Sequence, residues 1–515
     1  MRMTPPKLQT TTHQGIPLVW SDIRTTYTGT LAFAVGMRDE APRNAGISHL
    51  VEHLVMSQVG KVSIMHNAHT EDDRISFWAQ GPEALVADFL QRVAESIRHL
   101  DRVTEDVVAE QRAVISAELG EGDELTGSGP LLERFGAHTL GMLDLGAPAH
   151  RSHTREAALA HARTWLHSGN AVLSFTAEPP PTLDVTLPTA TPMPARAVIE
   201  PLAYRRHGWI AGGMLPVVLS MTLDTSDSEA RFVSQGVLFR AMLDELRTRL
   251  HLIYSVDGFA ARTGTDSAYI ALVLDPKQPD IVPTAQAALA ILRSLASDGP
   301  SADLLAEVAT ESRHQSANSE VQASYLLDAA HNWVRYGSTP VGLDIENPES
   351  VTPEAVRKVL ADALQTLLVS LGDVDTDLDV DGMSEALGLP AAKEPEGHYA
   401  AMSGPAMFKA MMHPDVKVFD PKWFKGLKGS QLILDPTRLM FIVPDQGLLE
   451  IDWSHLALAG VCKDCGHWDL TDHDGRGLII EPANWRGGDS IARALHEKVP
   501  AGARYQVNHP GPPAK

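Results

Sequence analysis

The sequence predicts an α+β protein built from two similar α/β-sandwich units in tandem, followed by a small β-rich module. Residues 154–176 have the pattern of a helix followed by an apolar strand, and residues 352–374 repeat that order and spacing. The apolar segments at 29–36 and 216–223 correspond in the same way, since each precedes a helical segment. Beyond about residue 404, short apolar or alternating runs are separated by Pro, Asp and Gly, which is typical of strands and turns.

Pro- and Thr-rich sequence over 179–201 predicts an extended surface linker between the two units. A second linker is predicted where the chain becomes acidic and then rich in Pro, Gly and Ser. The last amphipathic stretch, 489–499, predicts a helix. The predicted divisions are 1–185 for the first unit, 186–205 for a linker, 206–378 for the second unit, 379–404 for a second linker and 405–515 for the β-rich module.

Composition narrows the range of functions. A chain of 515 residues is too long for a single domain with one hydrophobic core. Its content of 44% hydrophobic and 21% charged residues is that of a folded globular protein. A formal net charge of -22 argues against a nucleic-acid partner, which requires clustered Lys and Arg. The N-terminal sequence lacks the apolar segment of a secretion signal, and no apolar run reaches the roughly 18 residues of a membrane span, so we expect a cytoplasmic protein. The only two cysteines are Cys462 and Cys465, too few for a disulfide framework, which is consistent with a reducing compartment.

A candidate metal site lies at residues 49–53, which read His-x-x-Glu-His within a segment of helical periodicity. On a helix, His49 and His53 stand one turn apart, so both imidazoles can bind one metal ion. Glu52 would remain beside the ion and take a proton from its water, and Ser48 would cap or open the helix. Zinc is the expected metal, because two His and one carboxylate leave a position for that water.

The third ligand is expected to be an acidic residue on a neighbouring helix. A helical segment at 104–120 ends with Glu118, which is the candidate. Glu110 and Glu121 are the alternatives within the same stretch.

Three segments carry a resemblance to a known family: GMRDEAPRNAGISHLVEHLVM, HNAHTEDDRISFWAQ and EQRAVISAEL, in that order. Over about residues 15–375 the sequence resembles the pitrilysin and mitochondrial processing peptidase family of inverted-motif zinc peptidases. The resemblance implies that Glu118 is the third zinc ligand and that Gln111 stands where many members have a supporting Glu. The stretch between His53 and Asn67 is shorter than is usual in the family by roughly a dozen residues, which implies a more open cavity.

The resemblance also implies how a peptide would bind. The segment after the motif is similar to the family's edge strand, which binds an extended peptide by β-augmentation. Its substrate-binding residues would be Asn67, Ala68, His69 and Thr70. In the second unit, Arg247 and Tyr254 match the pair that family members direct toward the substrate carbonyl and the developing oxyanion.

The function implied is that of a zinc-dependent endopeptidase with one zinc ion per chain and Glu52 as general base. It would cleave oligopeptides or leader and targeting peptides inside a closed chamber. Because the family works as a clamshell and this chain supplies one half, we expect a homodimer, or a heterodimer with a related subunit. The alternative is a non-catalytic, peptide-binding subunit of a heterodimeric peptidase; the intact His49, Glu52, His53 and Glu118 argue against it.

The C-terminal module offers a second set of metal-ligand residue types. Cys462 and Cys465 form a CxxC pair with His467 and His473 nearby, which could hold a structural zinc. A lone CxxC is weak evidence, so ordinary cysteines in a strand-turn segment are the favoured interpretation. The strand pattern resembles that of pleckstrin-homology-like modules, an analogy that does not define a function.

Overall fold

The computed structural model describes residues 7–120, 126–340, 347–394, 397–402, 404–422, 429–443 and 447–507. The first unit contains a six-stranded sheet in the order β1-β2-β6-β3-β5-β4. Its strands are β1 (Gln9–His13), β2 (Ile16–Trp20), β3 (Thr28–Phe33), β4 (Met65–Thr70), β5 (Ile75–Gln80) and β6 (Ala171–Phe175). Strand β4 lies at one edge and pairs with β5 in antiparallel orientation.

Four helices share the core of this sheet: α1 (Ile47–Val59), α2 (Glu83–Arg98), α3 (Glu105–Leu119) and α6 (Arg155–Trp165). Two short helices, α4 (Pro130–Phe135) and α5 (Gly141–Leu145), contribute to separate apolar clusters. Helix α1 buries Leu50, Val51, Leu54 and Val55 in the core beneath the sheet, because positions spaced by one and four residues share a helix face. Because these residues face the core, His49 and His53 lie on a different side of α1.

The second unit contains a five-stranded sheet in the order β7-β11-β8-β10-β9. Its elements are β7 (Gly208–Ile210), β8 (Val217–Asp224), α7 (Ser228–Met242) continued by a π-helical stretch (Leu243–Arg249), β9 (Val256–Arg262), β10 (Ser267–Leu274), α8 (Ile281–Asp298), α9 (Ala302–Ser316), α10 (Ser319–Tyr336), α11 (Pro353–Ala363), β11 (Leu368–Leu371) and α12 (Val380–Leu387).

The predicted internal repeat is confirmed. The order β2-β6-β3-β5-β4 in the first sheet corresponds strand for strand to β7-β11-β8-β10-β9 in the second. Helices α6 and α11 even begin alike, since the side chains of Thr154 and Thr352 accept hydrogen bonds from the backbone N–H groups of Ala157 and Ala355. The position of α1 in the first unit is taken by α7 in the second, which carries no His-x-x-Glu-His motif.

Both predicted linkers are partly packed, contrary to expectation. In the first, Leu183 and Val185 are buried in the core of the first unit, together with Leu187. In the second, 380–387 is helix α12, which begins after Asp379 accepts a hydrogen bond from the Gly382 N–H. These linker assignments relied on Pro, Thr and acidic content. Composition does not report spacing. The buried residues of the first segment stand at alternate positions, and Met383 and Leu387 in the second stand four residues apart.

The C-terminal module consists of two four-stranded sheets, ordered β12-β13-β14-β15 and β18-β17-β16-β19. Its elements are α13 (Gly404–Met411), β12 (Lys417–Phe419), β13 (Gln431–Leu434), β14 (Arg438–Val443), β15 (Gly447–Asp452), β16 (Leu456–Cys462), β17 (Trp468–Asp472), β18 (Gly477–Ile480), α14 (Gly488–Lys498) and β19 (Arg504–Val507). The predicted last helix is present as α14. Strand β19, which follows it and pairs parallel with β16, was not predicted.

The module packs on the first unit. Leu458 and Tyr505 share a buried apolar cluster with Met142 and Leu145 of α5. The Asp469 carboxylate accepts a hydrogen bond of 3.0 Å from the Thr126 N–H. None of the helices that the structure describes is long and apolar enough to cross a membrane.

The burial of α12 gives a stability prediction. Leu387 is 0% exposed in the second core, whereas Val380, at the start of the same helix, is 49% exposed. We expect Leu387→Ala to lower the free energy of unfolding by about 2–5 kcal/mol, because it removes apolar contacts and leaves a cavity. Val380→Ala, the matched control, should change it by less than about 0.5 kcal/mol. Urea unfolding followed by circular dichroism measures both, and equal effects would contradict the packed position of α12.

Candidate metal centre

Helix α1 brings its two histidines together. The imidazole rings of His49 and His53 lie with centroids 4.7 Å apart. Their Nε2 atoms are separated by 3.1 Å. This is the arrangement expected of residues one helical turn apart that point their ring nitrogens at a common position.

The beginning of α1 is fixed by Gly46 and Glu40. Gly46 has φ of 87°, a left-handed conformation that favours glycine. The buried Glu40 carboxylate accepts hydrogen bonds from the N–H groups of Gly46, at 2.7 Å, and Ser48, at 2.8 Å. Burial raises the pKa of Glu40 to about 7, although these hydrogen bonds favour its charged form.

The expectation that Ser48 caps or opens the helix is therefore wrong. Ser48 is already inside α1, and its Oγ lies 3.1 Å from Nε2 of His161. The side chain that satisfies the free N–H groups comes from Glu40, eight residues earlier.

Glu118 stands in the last turn of α3, and its side chain reaches the histidine pair. Its Oε2 atom lies 3.5 Å from Nε2 of His49 and 3.4 Å from Nε2 of His53. Among the residues that the structure describes, these three form the one group of at least three His, Cys, Asp or Glu side chains close enough to share a metal ion. Glu110 is exposed and outside this group. Glu121 lies outside the described residues.

The three donor atoms fit a single zinc ion. Zinc bonds of about 2.0–2.2 Å in a tetrahedral arrangement place neighbouring ligand atoms about 3.3–3.5 Å apart. The observed separations of 3.1, 3.4 and 3.5 Å lie near that range. With three protein ligands, one tetrahedral position is left for water or substrate.

The protonation of the histidines also suits metal binding. Nδ1 of His53 lies 3.2 Å from Oε1 of Gln111, so Nδ1–H donates to the amide oxygen. The tautomer with its proton on Nδ1 carries its lone pair on Nε2, the atom that faces His49. Burial lowers the pKa of His49 to about 4, and the neighbouring His53 acts in the same direction. His49 is therefore neutral near pH 7 and able to bind a metal ion.

Glu52 lies beside the three donors and is 7% exposed. Its Oε2 atom accepts a hydrogen bond of 2.8 Å from the Thr70 hydroxyl. Removal from water raises the pKa of Glu52 above its ordinary value, and the Thr70 hydrogen bond opposes that rise. The result is a fixed carboxylate with a strengthened affinity for a proton.

A cavity of about 520 Å³ opens at these groups. Its lining joins α1, α3 and strand β4, and consists of His49, Glu52, His53, Met56, Ser57, Asn67, Ala68, His69, Thr70, Gln111 and Glu118. On β4, Asn67 and His69 are exposed, Ala68 is buried and Thr70 is half-buried. Because β4 is the edge strand of its sheet, its outer backbone edge is available to an extended chain.

Arg247 and Tyr254 also lie together, but they do not line this cavity. The Arg247 guanidinium carbon is 5.2 Å from the centroid of the Tyr254 ring, which is 76% exposed. The Asp275 carboxylate accepts a hydrogen bond of 2.9 Å from the Tyr254 N–H and holds the loop before β9. The pair thus stands beside the edge strand of the second sheet, which corresponds to β4 of the first.

Cys462 is the last residue of β16, and Cys465 lies in the turn that joins β16 to β17. The Gly466 N–H donates to the Cys462 carbonyl at 3.0 Å, and no disulfide joins the two cysteines. Within the described chain, these cysteines with His467 and His473 do not form a group that could share a metal ion.

Comparison with known proteins identifies the fold. Residues 207–311 match the family model described as the Peptidase M16 inactive domain. A protease from Helicobacter pylori has a similar structure, with 14% identity and a TM-score of 0.57 over 72% of this chain and 100% of that one. No curated protein matches the chain in sequence.

Two further structures extend the likeness. Pitrilysin is 13% identical with a TM-score of 0.57, over 76% of this chain and 50% of its own. The periplasmic protease PqqL from Escherichia coli is 13% identical with a TM-score of 0.52, over 87% and 56%. The predicted fold, two tandem units that make half of a peptidase clamshell plus a β-rich module, is confirmed.

The Gln111 contact predicts a change in metal affinity. We expect Gln111→Ala to weaken zinc binding by about 10- to 100-fold, because His53 loses the acceptor that orients its ring. Gln111→Glu should strengthen binding, since a carboxylate makes the imidazole a better donor. Competition with a chromogenic chelator measures both, and Glu110→Ala on the same helix is the control. Unchanged affinity in both Gln111 variants would contradict this role.

Proposed function

We propose that the chain is a zinc-dependent endopeptidase, with His49, His53 and Glu118 as the metal ligands. The observation that carries the proposal is the convergence of their three donor atoms, from two helices, within 3.1–3.5 Å of one another. That spacing suits one tetrahedral ion and leaves one position open. Structural zinc sites are closed by four protein ligands, so three ligands beside a cavity favour catalysis.

Glu52 would be the general base. A zinc ion at this site would supply Lewis acidity toward the scissile carbonyl and lower the pKa of a water molecule to about 7. Because Thr70 donates to Oε2 of Glu52, Oε1 is the atom left to take the proton of the attacking water. The raised pKa of Glu52 makes it a stronger base, and the protonated carboxyl can then return the proton to the leaving amine.

Strand β4 would bind the substrate as an added strand. Its outer edge pairs with no other strand of the sheet, and the exposed side chains of Asn67 and His69 would contact a bound peptide. Thr70 belongs to the same strand and contacts Glu52, so the strand that holds the peptide also positions the base. Backbone pairing selects extended peptides of varied sequence, which agrees with oligopeptides or leader and targeting peptides as substrates.

Arg247 and Tyr254 would act on the same substrate from a second unit. Both side chains donate hydrogen bonds and suit a developing oxyanion. Since neither lines the cavity at Glu52, the closed chamber would come from a second half-clamshell: another copy of this chain or a related subunit. The comparison with pitrilysin is consistent with such a half, because the match covers 50% of the pitrilysin chain.

The second candidate function is a non-catalytic, peptide-binding subunit. In its favour is the description of the matching family model as an inactive domain. That match covers 207–311, however, and His49, Glu52, His53 and Glu118 all lie outside it. The inactive description therefore applies to the second unit, which lacks the motif, and we favour the peptidase.

Substitution of Glu52 tests the proposal. Glu52→Gln keeps the shape of the side chain and removes the base, so turnover of a mixed peptide pool should fall by about 10²- to 10⁴-fold while zinc content is retained. Peptide cleavage is followed by mass spectrometry, and zinc by elemental analysis.

Glu110→Gln, on α3 but outside the site, is the control and should leave turnover unchanged. Equal turnover by wild type and Glu52→Gln would refute the assigned base. A wild-type protein that holds zinc and peptides but cleaves none would favour the non-catalytic subunit.

A further inference from the structure

A second cavity, also of about 520 Å³, lies between the first unit and the C-terminal module. It shares no lining residue with the cavity at the metal centre. Its lining comes from both parts of the chain: Arg43, Ser152, Val461, Cys462, Lys463, Gly466, Trp468, Ala492, His496, Arg504, Tyr505 and Gln506. The volume is within the range of about 300–1,000 Å³ that small-molecule sites occupy.

The charge of this cavity opposes that of the protein. The chain carries a net charge of -22, yet among the described lining residues there are three cationic side chains, Arg43, Lys463 and Arg504, and no Asp or Glu. Arg43 is half-buried, and burial lowers its pKa. Partial removal of a cation from water without a carboxylate partner costs free energy, which an incoming anion would offset.

The Arg504 guanidinium is held in a fixed orientation. Its Nε atom donates to the Val499 carbonyl at 3.1 Å, and Nη2 donates to the carbonyls of Val499 and His496 at the end of α14. These neutral acceptors orient the planar group without neutralising its charge. Nη1 takes no part in those bonds and can donate to a ligand, and a guanidinium suits a carboxylate or a phosphate.

Part of the remaining wall is apolar. Val461 and Ala492 line the cavity beside the buried rings of Trp468 and Tyr505. Trp468 packs against His496 with ring centroids 4.9 Å apart. A ligand that satisfies this lining has an anionic group for the arginines and an apolar part for the wall.

We propose that this cavity is a binding site for an organic anion, whose carboxylate or phosphate group pairs with Arg43 and Arg504 while its apolar part contacts Val461 and Ala492. The site adjoins residues 42–45, which lead into α1. The Ala45 carbonyl accepts a hydrogen bond of 2.9 Å from Nε2 of His153. It is separate from the peptidase site and does not depend on the proposed function.

Titration calorimetry of the zinc-loaded full chain tests the proposal with three probes. N-acetylphenylalanine carries a carboxylate, phenyl phosphate carries a phosphate, and N-acetylphenylalanine amide is the neutral control. We expect at least one anion to bind once per chain and the amide not to bind. Tighter binding of the first would indicate a carboxylic acid or peptide terminus as the natural ligand, and tighter binding of the second a phosphorylated compound.

Substitutions in and near the lining test whether the anions bind in this cavity. Arg43→Gln removes one cation, and Ala492→Glu places a carboxylate in the cavity; each should weaken anion binding by about 10- to 100-fold. Arg493→Gln, an exposed neighbour on α14 that does not line the cavity, should leave it unchanged. Should Arg43→Gln fail to fold by circular dichroism, the exposed Lys463→Gln replaces it.

Three results would overturn the proposal: no binding of either anion up to about 5 mM, the limit of weak fragment binding; equal binding of the amide; or equal weakening by Arg493→Gln. Anion binding that survives Ala492→Glu would also overturn it, since the anion would then bind elsewhere, including at the zinc.

Discussion

The structure depends on the packing of α3 against α1, which holds three electron-rich donor atoms at one point. Two imidazole lone pairs and a carboxylate oxygen that face one another repel unless a proton or a metal cation lies between them. Their approach is maintained by apolar burial: Val108 and Ile115 of α3 share the first core with Leu50 and Val51 of α1. Hydrophobic packing thus holds the three donor atoms of the proposed metal centre together, which would reduce the reorganisation needed for metal binding.

The same scaffold serves two purposes in the two units. Both sheets place an edge strand at the same end of an equivalent strand order, β4 in the first unit and β9 in the second. In the first unit the helix beside that edge carries His49 and His53, two of the proposed metal ligands. In the second unit the chain leading into the edge strand carries Arg247 and Tyr254. On the proposed function, the first unit would bind the metal ion and the second would supply hydrogen-bond donors, while the C-terminal module packs on the first unit.

Much of this was predictable because local sequence determined it. Helical periodicity placed His49 and His53 on one turn, and the 154–176 and 352–374 repeat predicted two related sheets. The long-range features were not predictable in the same way. Glu40 satisfies the start of α1 from outside the helix, and no local pattern marks a side chain that reaches across a loop.

The average composition of a segment predicted its structure less well than the spacing of its apolar residues. The Pro- and Thr-rich segment hides Val185, which is fully buried, and the acidic segment hides helix α12. In both cases the deciding feature is the spacing of a few apolar residues, which the average composition of a segment does not report. Strand β19 is only four residues long, and its identity depends on pairing with β16, which its own sequence does not encode.

X-ray absorption spectroscopy at the zinc edge of the metal-loaded chain tests the metal centre most directly. Coordination by His49, His53 and Glu118 predicts one zinc per chain, surrounded only by nitrogen and oxygen at about 2.0–2.2 Å, with the outer-shell scattering of two imidazoles. A sulfur neighbour at about 2.3 Å would place the zinc at Cys462 and Cys465 instead and contradict the site on α1.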